Sequence, residues 1–139
     1  MKRGDLLIGI VIVSHGPLAD GLRGAAEMIV GPQEHFRTVG MDPAADLDEL
    51  RDQIETAAAA VSGTDGTLVF VDLMGGSPAN ASSYLALSGT PVVCGCNLPM
   101  LLEVLMQRKH TSSAQQLAEQ AIRSGRESIL NLAQMLSGA

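Results

Sequence analysis

The sequence predicts an α/β protein with a mostly parallel sheet. Short, β-branched and nearly continuous apolar runs alternate along the 139 residues with segments of helical periodicity. Such runs are typical of strands buried on both faces, and strand–helix alternation is typical of parallel sheets with right-handed crossovers. No linker, charge block or internal repeat divides the chain, so we expect one domain over residues 1–139.

Four segments are predicted to be strands, the second being the weakest; in chain order they are Leu6–Val13, His35–Met41, Thr67–Asp72 and Thr90–Gly95. Apolar residues spaced three or four apart predict helices between them, and these helices begin near Leu18, Leu47, Leu98 and Leu117. Glycines are expected to end three of these helices, at Gly31, Gly63 and Gly125. The tail, 127–136, has helical spacing, and we expect it to dock on another subunit.

Composition excludes several classes of partner. The net charge of −6 includes no basic stripe, and only 2% of residues are aromatic, so a nucleic-acid partner is not expected. Met1-Lys2-Arg3 before an apolar run resembles the start of a signal peptide, but Gly4-Asp5 interrupts it and no cleavage site follows. The run is too short to span a bilayer, so we expect a cytoplasmic protein.

Cys94 and Cys96 are the only cysteines. Their spacing is not that of a zinc or thioredoxin motif, and no second cluster of ligands accompanies them. We therefore expect buried structural thiols and no metal site.

Two chemically active residues follow two of the predicted strands. Ser14-His15-Gly16 closes the first strand, and Asp72 closes the third. Ligands of doubly wound sheets bind beyond the carboxyl ends of the strands, where the strand order reverses. With strand order 2-1-3-4 that point lies between the first and third strands, so we expect His15 and Asp72 to face each other.

A glycine pair and a helix start follow Asp72. Ser77 is predicted to be the N-cap of this helix and Pro78 its first residue, while Gly75 and Gly76 let backbone amides approach a ligand. The N-terminus of a helix binds anions, and a carboxylate-oriented imidazole beside it is suited to carry a phosphoryl group.

We therefore predict His15 and Asp72 as catalytic residues, without a metal or other cofactor. The predicted phosphoryl-binding residues are Ser14, Gly16, Gly75, Gly76 and Ser77. Asn97 is predicted to cap the next helix.

Four segments together resemble the IIA component of the mannose-family phosphoenolpyruvate-dependent sugar phosphotransferase system (PTS). They are IVIVSHGPLADGL, AAEMIVG, VDLMGGSPANAS and GCNLPMLLEVL, in this order. The resemblance implies a flavodoxin-like three-layer sandwich, phosphorylation of His15 on Nε2 and a hydrogen bond from the ring of His15 to the Asp72 carboxylate. It also implies that the Ser77 region helps to hold the phosphoryl group.

The same resemblance implies the partners. The phosphoryl group is expected to arrive from the histidine-containing phosphocarrier protein HPr and to leave to a IIB component acting in trans. Contact with the membrane components IIC and IID is only indirect. A homodimer is implied, in which the C-terminal segment adds to the partner's sheet as an antiparallel edge strand, in conflict with the helical spacing. Some relatives have Thr-Trp where this chain has Leu73-Met74.

Four other functions fit part of this pattern. A dihydroxyacetone-kinase phosphotransfer subunit shares the fold and the histidine chemistry. A receiver-like regulator would be phosphorylated on Asp72, but such domains need acidic residues after the first strand to hold Mg²⁺, where this chain has Ser14-His15. A serine hydrolase would need G-x-S-x-G, which GGSPA lacks. A flavin or nucleotide module stays open, although few aromatic residues are present for stacking.

Overall fold

A four-stranded parallel sheet lies between two layers of helices. The computed structural model describes residues 7–63 and 65–138; Leu6 and the basic start Met1–Asp5 lie outside them. The strands are β1 (Gly9–His15), β2 (Phe36–Met41), β3 (Thr67–Val71) and β4 (Val92–Cys94). Their order is β2-β1-β3-β4 and each neighbouring pair is parallel. The predicted class and strand order are confirmed.

The helices are α1 (Leu18–Val30), α2 (Leu47–Val61), α3 (Ser77–Leu87), α4 (Leu98–Gln107), α5 (Ala114–Glu127) and α6 (Leu132–Leu136), with a 3₁₀ turn at Arg108–His110. α1, α4 and α5 cover one face of the sheet, and α2 and α3 cover the other. Within the described part of the chain, no helix has the length and apolar character needed to cross a membrane.

The two sides of the core follow from the alternation of side chains along the strands. In β1, Ile10 and Ile12 point into the α1/α4/α5 layer, whereas Val11 and Val13 point into the α2/α3 layer. All four are fully buried. A strand that is apolar at every position is therefore buried on both faces, as its sequence predicts.

Several predicted boundaries are wrong; β4, for example, spans Val92–Cys94 where Thr90–Gly95 was predicted. Three of these errors have a clear physical reason. β1 continues through Ser14 to His15, because these residues pair with the end of β2. The helix predicted to end at Gly125, α5, continues to Glu127. A Cβ on Gly125 would lie 2.5 Å from Cε of Met100, so this glycine lets α5 approach α4 closely instead of ending the helix. The third boundary, at Ser77, is described with the site.

The tail contains one short helix, α6, and no strand among residues 128–138. Its apolar side chains are exposed, including Ile129, Leu130, Leu132 and Leu136. An edge strand that is exchanged between subunits requires a second copy of the chain, so it stays a prediction.

Arg108 is a buried cation that the sequence did not single out. Its guanidinium donates to the carbonyl oxygens of Ile8, Glu34 and His35 and to Oε1 of Gln33. These acceptors lie at the starts of β1 and β2. Arg108 therefore joins the end of α4 to the amino-terminal ends of these strands, at the end of the sheet opposite His15.

Candidate functional site

The ends of β1 and β3 bring His15 and Asp72 together. The two strands are adjacent, and the amide of Asp72 donates to the Val13 carbonyl at 3.1 Å. His15 is the last residue of β1, and Asp72 directly follows β3. The predicted juxtaposition across the switch point is therefore present in the structure, while the chemical roles of the two residues stay predictions.

A single carboxylate oxygen holds both the backbone and the ring of His15. Oδ2 of Asp72 lies 2.8 Å from Nδ1 of His15 and accepts the His15 amide at 2.9 Å. The other oxygen, Oδ1, accepts the Leu73 amide at 2.9 Å. A carboxylate at Nδ1 selects the tautomer that carries its proton there, because an ionised carboxyl group is only an acceptor. The neutral ring then has its lone pair on Nε2.

Asp72 is kept in its ionised form. Its side chain is only 5% exposed, whereas that of His15 is 43% exposed. Burial alone would raise the pKa of Asp72, but the hydrogen bonds from His15 and Leu73 and the electrostatic interaction with His15 outweigh burial. The pKa of Asp72 is therefore lowered below its usual range, and the carboxylate can orient the ring over the whole physiological range.

The imidazole faces the N-terminus of α3. A Cβ on Gly76 would lie 2.8 Å from Cε1 and 3.1 Å from Nε2 of His15, so only glycine leaves room for the ring. Gly75 has a φ of +94°, which is a backbone conformation that glycine adopts without strain. The turn before α3 thus depends on both glycines, for different physical reasons.

The prediction that Ser77 is the N-cap of α3 is wrong by one residue. Gly76 is the N-cap, Ser77 is the first helical residue, and no side chain caps the helix. Proline at position 78 has no amide, and among the described residues the amides of Ser77 and Ala79 donate to no protein acceptor. These free donors, at the positive end of the helix dipole, can bind an anion beside Nε2.

The residues that flank His15 have other hydrogen-bond partners. Oγ of Ser14 is buried, accepts the Ala19 amide at 2.8 Å and lies 3.1 Å from the His15 carbonyl oxygen. The Gly16 amide donates to the Met41 carbonyl at 3.0 Å. These hydrogen bonds connect Ser14 to α1 and Gly16 to β2. The contribution of the two residues to phosphoryl binding stays a prediction.

Sequence reasoning missed Gly40. A Cβ on this residue would lie 2.4 Å from the carbonyl oxygen of Gly16, so β2 can approach the turn after His15 only because Gly40 has no side chain. An isolated glycine within a predicted strand is a known sign of close backbone approach, and this sign was present in the sequence.

Asn97 caps α4, as predicted: its Oδ1 accepts the Met100 amide at 3.1 Å, and its Nδ2 donates to the Gly125 carbonyl at 3.2 Å.

Cys96 is partly buried against the core, but Cys94 is exposed, so the prediction of two buried thiols is wrong for Cys94. Burial and the charge of Asp72 raise the pKa of Cys96 to about 12 and also raise that of Cys94. Neither thiol is activated as a nucleophile.

The arrangement as a whole can transfer a group that carries negative charge. It presents an accessible ring nitrogen, a carboxylate that stabilises positive charge on that ring, and free amides at a helix N-terminus. Among the described residues, no group of three or more histidine, cysteine, aspartate or glutamate side chains could hold a metal ion.

Known proteins share this architecture. Residues 9–122 match the model of the EIIA-man family, described as the PTS system fructose IIA component. The chain is 36% identical over 126 residues to the PTS system mannose-specific EIIAB component of Escherichia coli K12, which covers 89% of this chain and 39% of that protein. This chain therefore spans about two fifths of the length of that relative.

A shorter relative is covered more completely. The PTS system sorbose-specific EIIA component of Lacticaseibacillus casei is 37% identical over 108 residues, or 76% of this chain and 78% of that protein. Among solved structures, the phosphotransferase system component EIIA of Streptococcus agalactiae has a TM-score of 0.84 and is 29% identical, covering 92% of this chain and 99% of that chain.

Proposed function

This chain belongs to the EIIA-man family of PTS IIA components, and on that premise we propose that it is a phosphocarrier that holds a phosphoryl group on His15. The observation that carries the proposal is the 2.8 Å contact between Nδ1 of His15 and Oδ2 of Asp72, which leaves Nε2 free beside the N-terminus of α3. The incoming phosphoryl group comes from a phosphohistidine on HPr, and the outgoing group passes to a histidine on a IIB component in trans. IIC and IID are reached only through IIB, and the reactions take place in the cytoplasm.

In the transfer step, the lone pair on Nε2 of His15 attacks phosphorus. The Nε2–P bond forms while the N–P bond to the donor imidazole breaks, and the donor ring leaves as a neutral imidazole. His15 keeps its proton on Nδ1, so its phosphorylated ring is cationic. Asp72 stabilises that charge, and no proton has to move between the two proteins.

The proposed phosphoryl-binding groups are the amides of the turn and of the first helical residues of α3. Gly75, Gly76 and Ser77 belong to this set, and the Ala79 amide extends it. Amides that point toward the phosphoryl oxygens favour the developing negative charge without reorganisation. Ser14 and Gly16 support the set through their hydrogen bonds to the neighbouring elements.

Phosphorylation of Asp72 is the alternative from another class, and the geometry disfavours it. Both carboxylate oxygens already accept hydrogen bonds, and the side chain is nearly buried. The match to the mannose-type IIA family likewise favours the sugar phosphotransferase system over the dihydroxyacetone-kinase subunit.

We also propose that the chain forms a homodimer through its tail. The apolar side chains of residues 129–136 are exposed, and the edge of β4 borders a groove of about 370 Å³ lined in part by Val92, Met100, Ile122 and Ile129. A tail from a second copy would cover both the edge and the groove.

The proposed activity is tested by labelling with phosphoenolpyruvate, enzyme I and HPr. We expect one acid-labile, alkali-stable phosphoryl group per chain, and we expect His15→Ala to abolish it because the acceptor nitrogen is lost. His110→Ala, which removes an exposed histidine in the 3₁₀ turn, is the matched control and should label normally. Label that persists in His15→Ala, or that is alkali-labile, would overturn the proposal.

A further inference from the structure

β2 forms an open edge of the sheet. It pairs with β1 over six consecutive positions, and in the described structure it has no neighbour on its other side. The carbonyls of His35 and Met41 accept amides from β1 and from the turn after it, so the odd-numbered residues of β2 direct their backbone groups toward β1. Backbone groups alternate in direction along a strand. The amides and carbonyls of Thr38 and Gly40 therefore point away from the sheet.

This edge lacks the usual features that protect an edge strand. Its pairing with β1 is continuous, without a bulge, and β2 contains no proline and only one charged residue, Arg37. Proteins commonly protect an edge by such means, because its free amides and carbonyls pair with other chains. Among the described residues, no backbone group of Thr38 or Gly40 has a hydrogen-bond partner outside the sheet. The β2 edge is therefore open to the addition of a strand.

A groove runs between this edge and the middle of α2. Its volume is about 460 Å³, and it is lined by residues 37–40 of β2 and by residues of α2 between Asp52 and Ala57. We call it the β2 groove. A strand that paired with Thr38 and Gly40 would direct every second side chain toward this groove. Strand-addition sites combine backbone hydrogen bonds along an edge with a groove for alternate side chains, and both parts are present here.

The charges beside the β2 groove are mostly negative. Asp52 lines it, and Glu49 lies one turn earlier on the same side of α2. Asp20 of α1 borders the opposite face of β2, where it accepts the Thr38 hydroxyl. All three carboxylates are exposed, and among the described residues none of them forms an ion pair. Since Arg37 supplies one positive charge against these three, an incoming segment meets a net negative surface.

We propose that the β2 groove binds an extended basic segment of another protein, which adds to the sheet as a strand beside β2. Lysine or arginine side chains of that segment would lie near Asp52 and Glu49 on one face and near Asp20 on the other. The tail of this chain does not fit this description, because residues 128–139 contain neither lysine nor arginine. A second copy is disfavoured at this edge, since two identical acidic surfaces repel each other.

A segment bound in the β2 groove leaves the candidate functional site free. The groove lies along the side of the sheet, beside the middle of α2. Nε2 of His15 lies at the N-terminus of α3, beyond the carboxyl end of β1. The inference therefore does not depend on the proposed function, and a partner held in the groove can stay bound while His15 exchanges its phosphoryl group.

The strand-addition part is tested by NMR with the full chain and a short capped peptide in which lysine alternates with valine or threonine. We expect saturable shifts of the amide resonances of Thr38 and Gly40 and of residues 52–57, because their surroundings change on binding. The same peptide N-methylated at two adjacent central residues keeps its charge but cannot pair along either edge. It should bind about tenfold more weakly or worse.

The charge part is tested with a second peptide and two variants. A peptide with glutamate in place of lysine should give no saturable shift. Glu49→Gln/Asp52→Asn should lower the affinity for the lysine peptide about fivefold at low salt and weaken its dependence on ionic strength. The control, Glu119→Gln/Glu127→Gln, removes two exposed charges from α5 on the other side of the sheet and should leave the affinity unchanged.

Several results would overturn the proposal. The lysine peptide would give no saturable shift, would bind equally well when N-methylated, or would shift the edge of β4 instead. Equal binding of the glutamate peptide, or an unchanged affinity in Glu49→Gln/Asp52→Asn, would show that the surrounding carboxylates do not select a basic partner. Shifts of Thr38 and Gly40 that depend on protein concentration without peptide would assign the edge to a second copy. Failure of His15 to accept a phosphoryl group would affect only the proposed function.

Discussion

Three hydrogen-bond donors converge on the Asp72 carboxylate. The His15 amide and ring are bound by Oδ2, and the Leu73 amide is bound by Oδ1. An ionised carboxylate can accept all three, and it fixes the tautomer of the ring at the same time. Orientation of the His15 ring and closure of the β3–α3 turn therefore depend on one side chain.

Asp72→Asn is expected to retain the fold and to slow phosphoryl transfer about 100-fold or more. An amide has one acceptor atom, so its NH₂ group must face either the Leu73 amide or the two His15 donors. It also loses the charge that stabilises the phosphorylated ring. Labelling rates with phosphorylated HPr measure this effect, and a rate equal to that of the unaltered protein would refute the orienting role.

The stability effect of the same substitution should depend on pH. The pKa of Asp72 in the folded protein lies below its ordinary value of 3.8. Its contribution is therefore present above the ordinary pKa and is lost as pH falls through the lowered one. Urea unfolding should show the largest difference between Asp72→Asn and the unaltered protein near neutral pH. A difference that grew toward acid pH would contradict this assignment.

At the scale of elements, Arg108 connects the end of α4 to the starts of β1 and β2. Its five N–H groups suit a cluster of carbonyl oxygens better than the point charge of a lysine would. Burial lowers the pKa of Arg108, and the nearby charge of Glu34 partly offsets this effect. One of the carbonyls that it binds, that of His35, also accepts the Ile10 amide, so the guanidinium adds a second hydrogen bond there.

Arg108→Met is expected to lower the free energy of unfolding by about 3 kcal/mol or more, because the carbonyl oxygens of Ile8 and Glu34 and Oε1 of Gln33 lose this donor. Lys109→Met is the matched control: Lys109 is exposed in the same 3₁₀ turn, and we expect a change within about 0.5 kcal/mol. Urea unfolding measures both. Equal stabilities of the two variants would show that Arg108 does not hold these elements together.

The elements were predictable where a local pattern determines them. Uninterrupted apolar runs identified β1 and β3, and helical spacing identified α2 within its observed bounds. The errors arose where contact with a residue distant in the sequence determines the local structure. Gly125 has the same local sequence signal whether it ends a helix or lets Met100 pack against it, and only the packing distinguishes the two.

The site was predictable for a topological reason. Strand order alone brings His15 to Asp72, although 57 residues separate them in the chain. The close approach of Gly40 to the Gly16 carbonyl and the hydrogen bonds of Arg108 depend on distances between elements, which sequence periodicity does not contain.

At the scale of the whole molecule, the described structure leaves apolar surface in two separate regions. One region contains Leu18, Leu73 and Met74, which lie close in the chain to His15 or Asp72, and the other is the tail with the neighbouring edge of β4. β4 has a paired neighbour, β3, on one side only. An open edge strand beside an apolar groove tends to associate with another chain. The second region is therefore the surface on which the proposed dimer contact is expected.

The dimer proposal predicts that the tail controls the oligomeric state. We expect twice the mass of the chain by sedimentation equilibrium at micromolar concentration. Leu130→Asp/Leu132→Asp should shift the protein to the monomer, because charges would be buried against the groove and the β4 edge. Met28→Asp/Ile29→Asp, on the exposed end of α1, makes the same change in charge and should stay dimeric. A monomeric unaltered protein, or a dimer that both double variants retain, would refute the tail as the dimer contact.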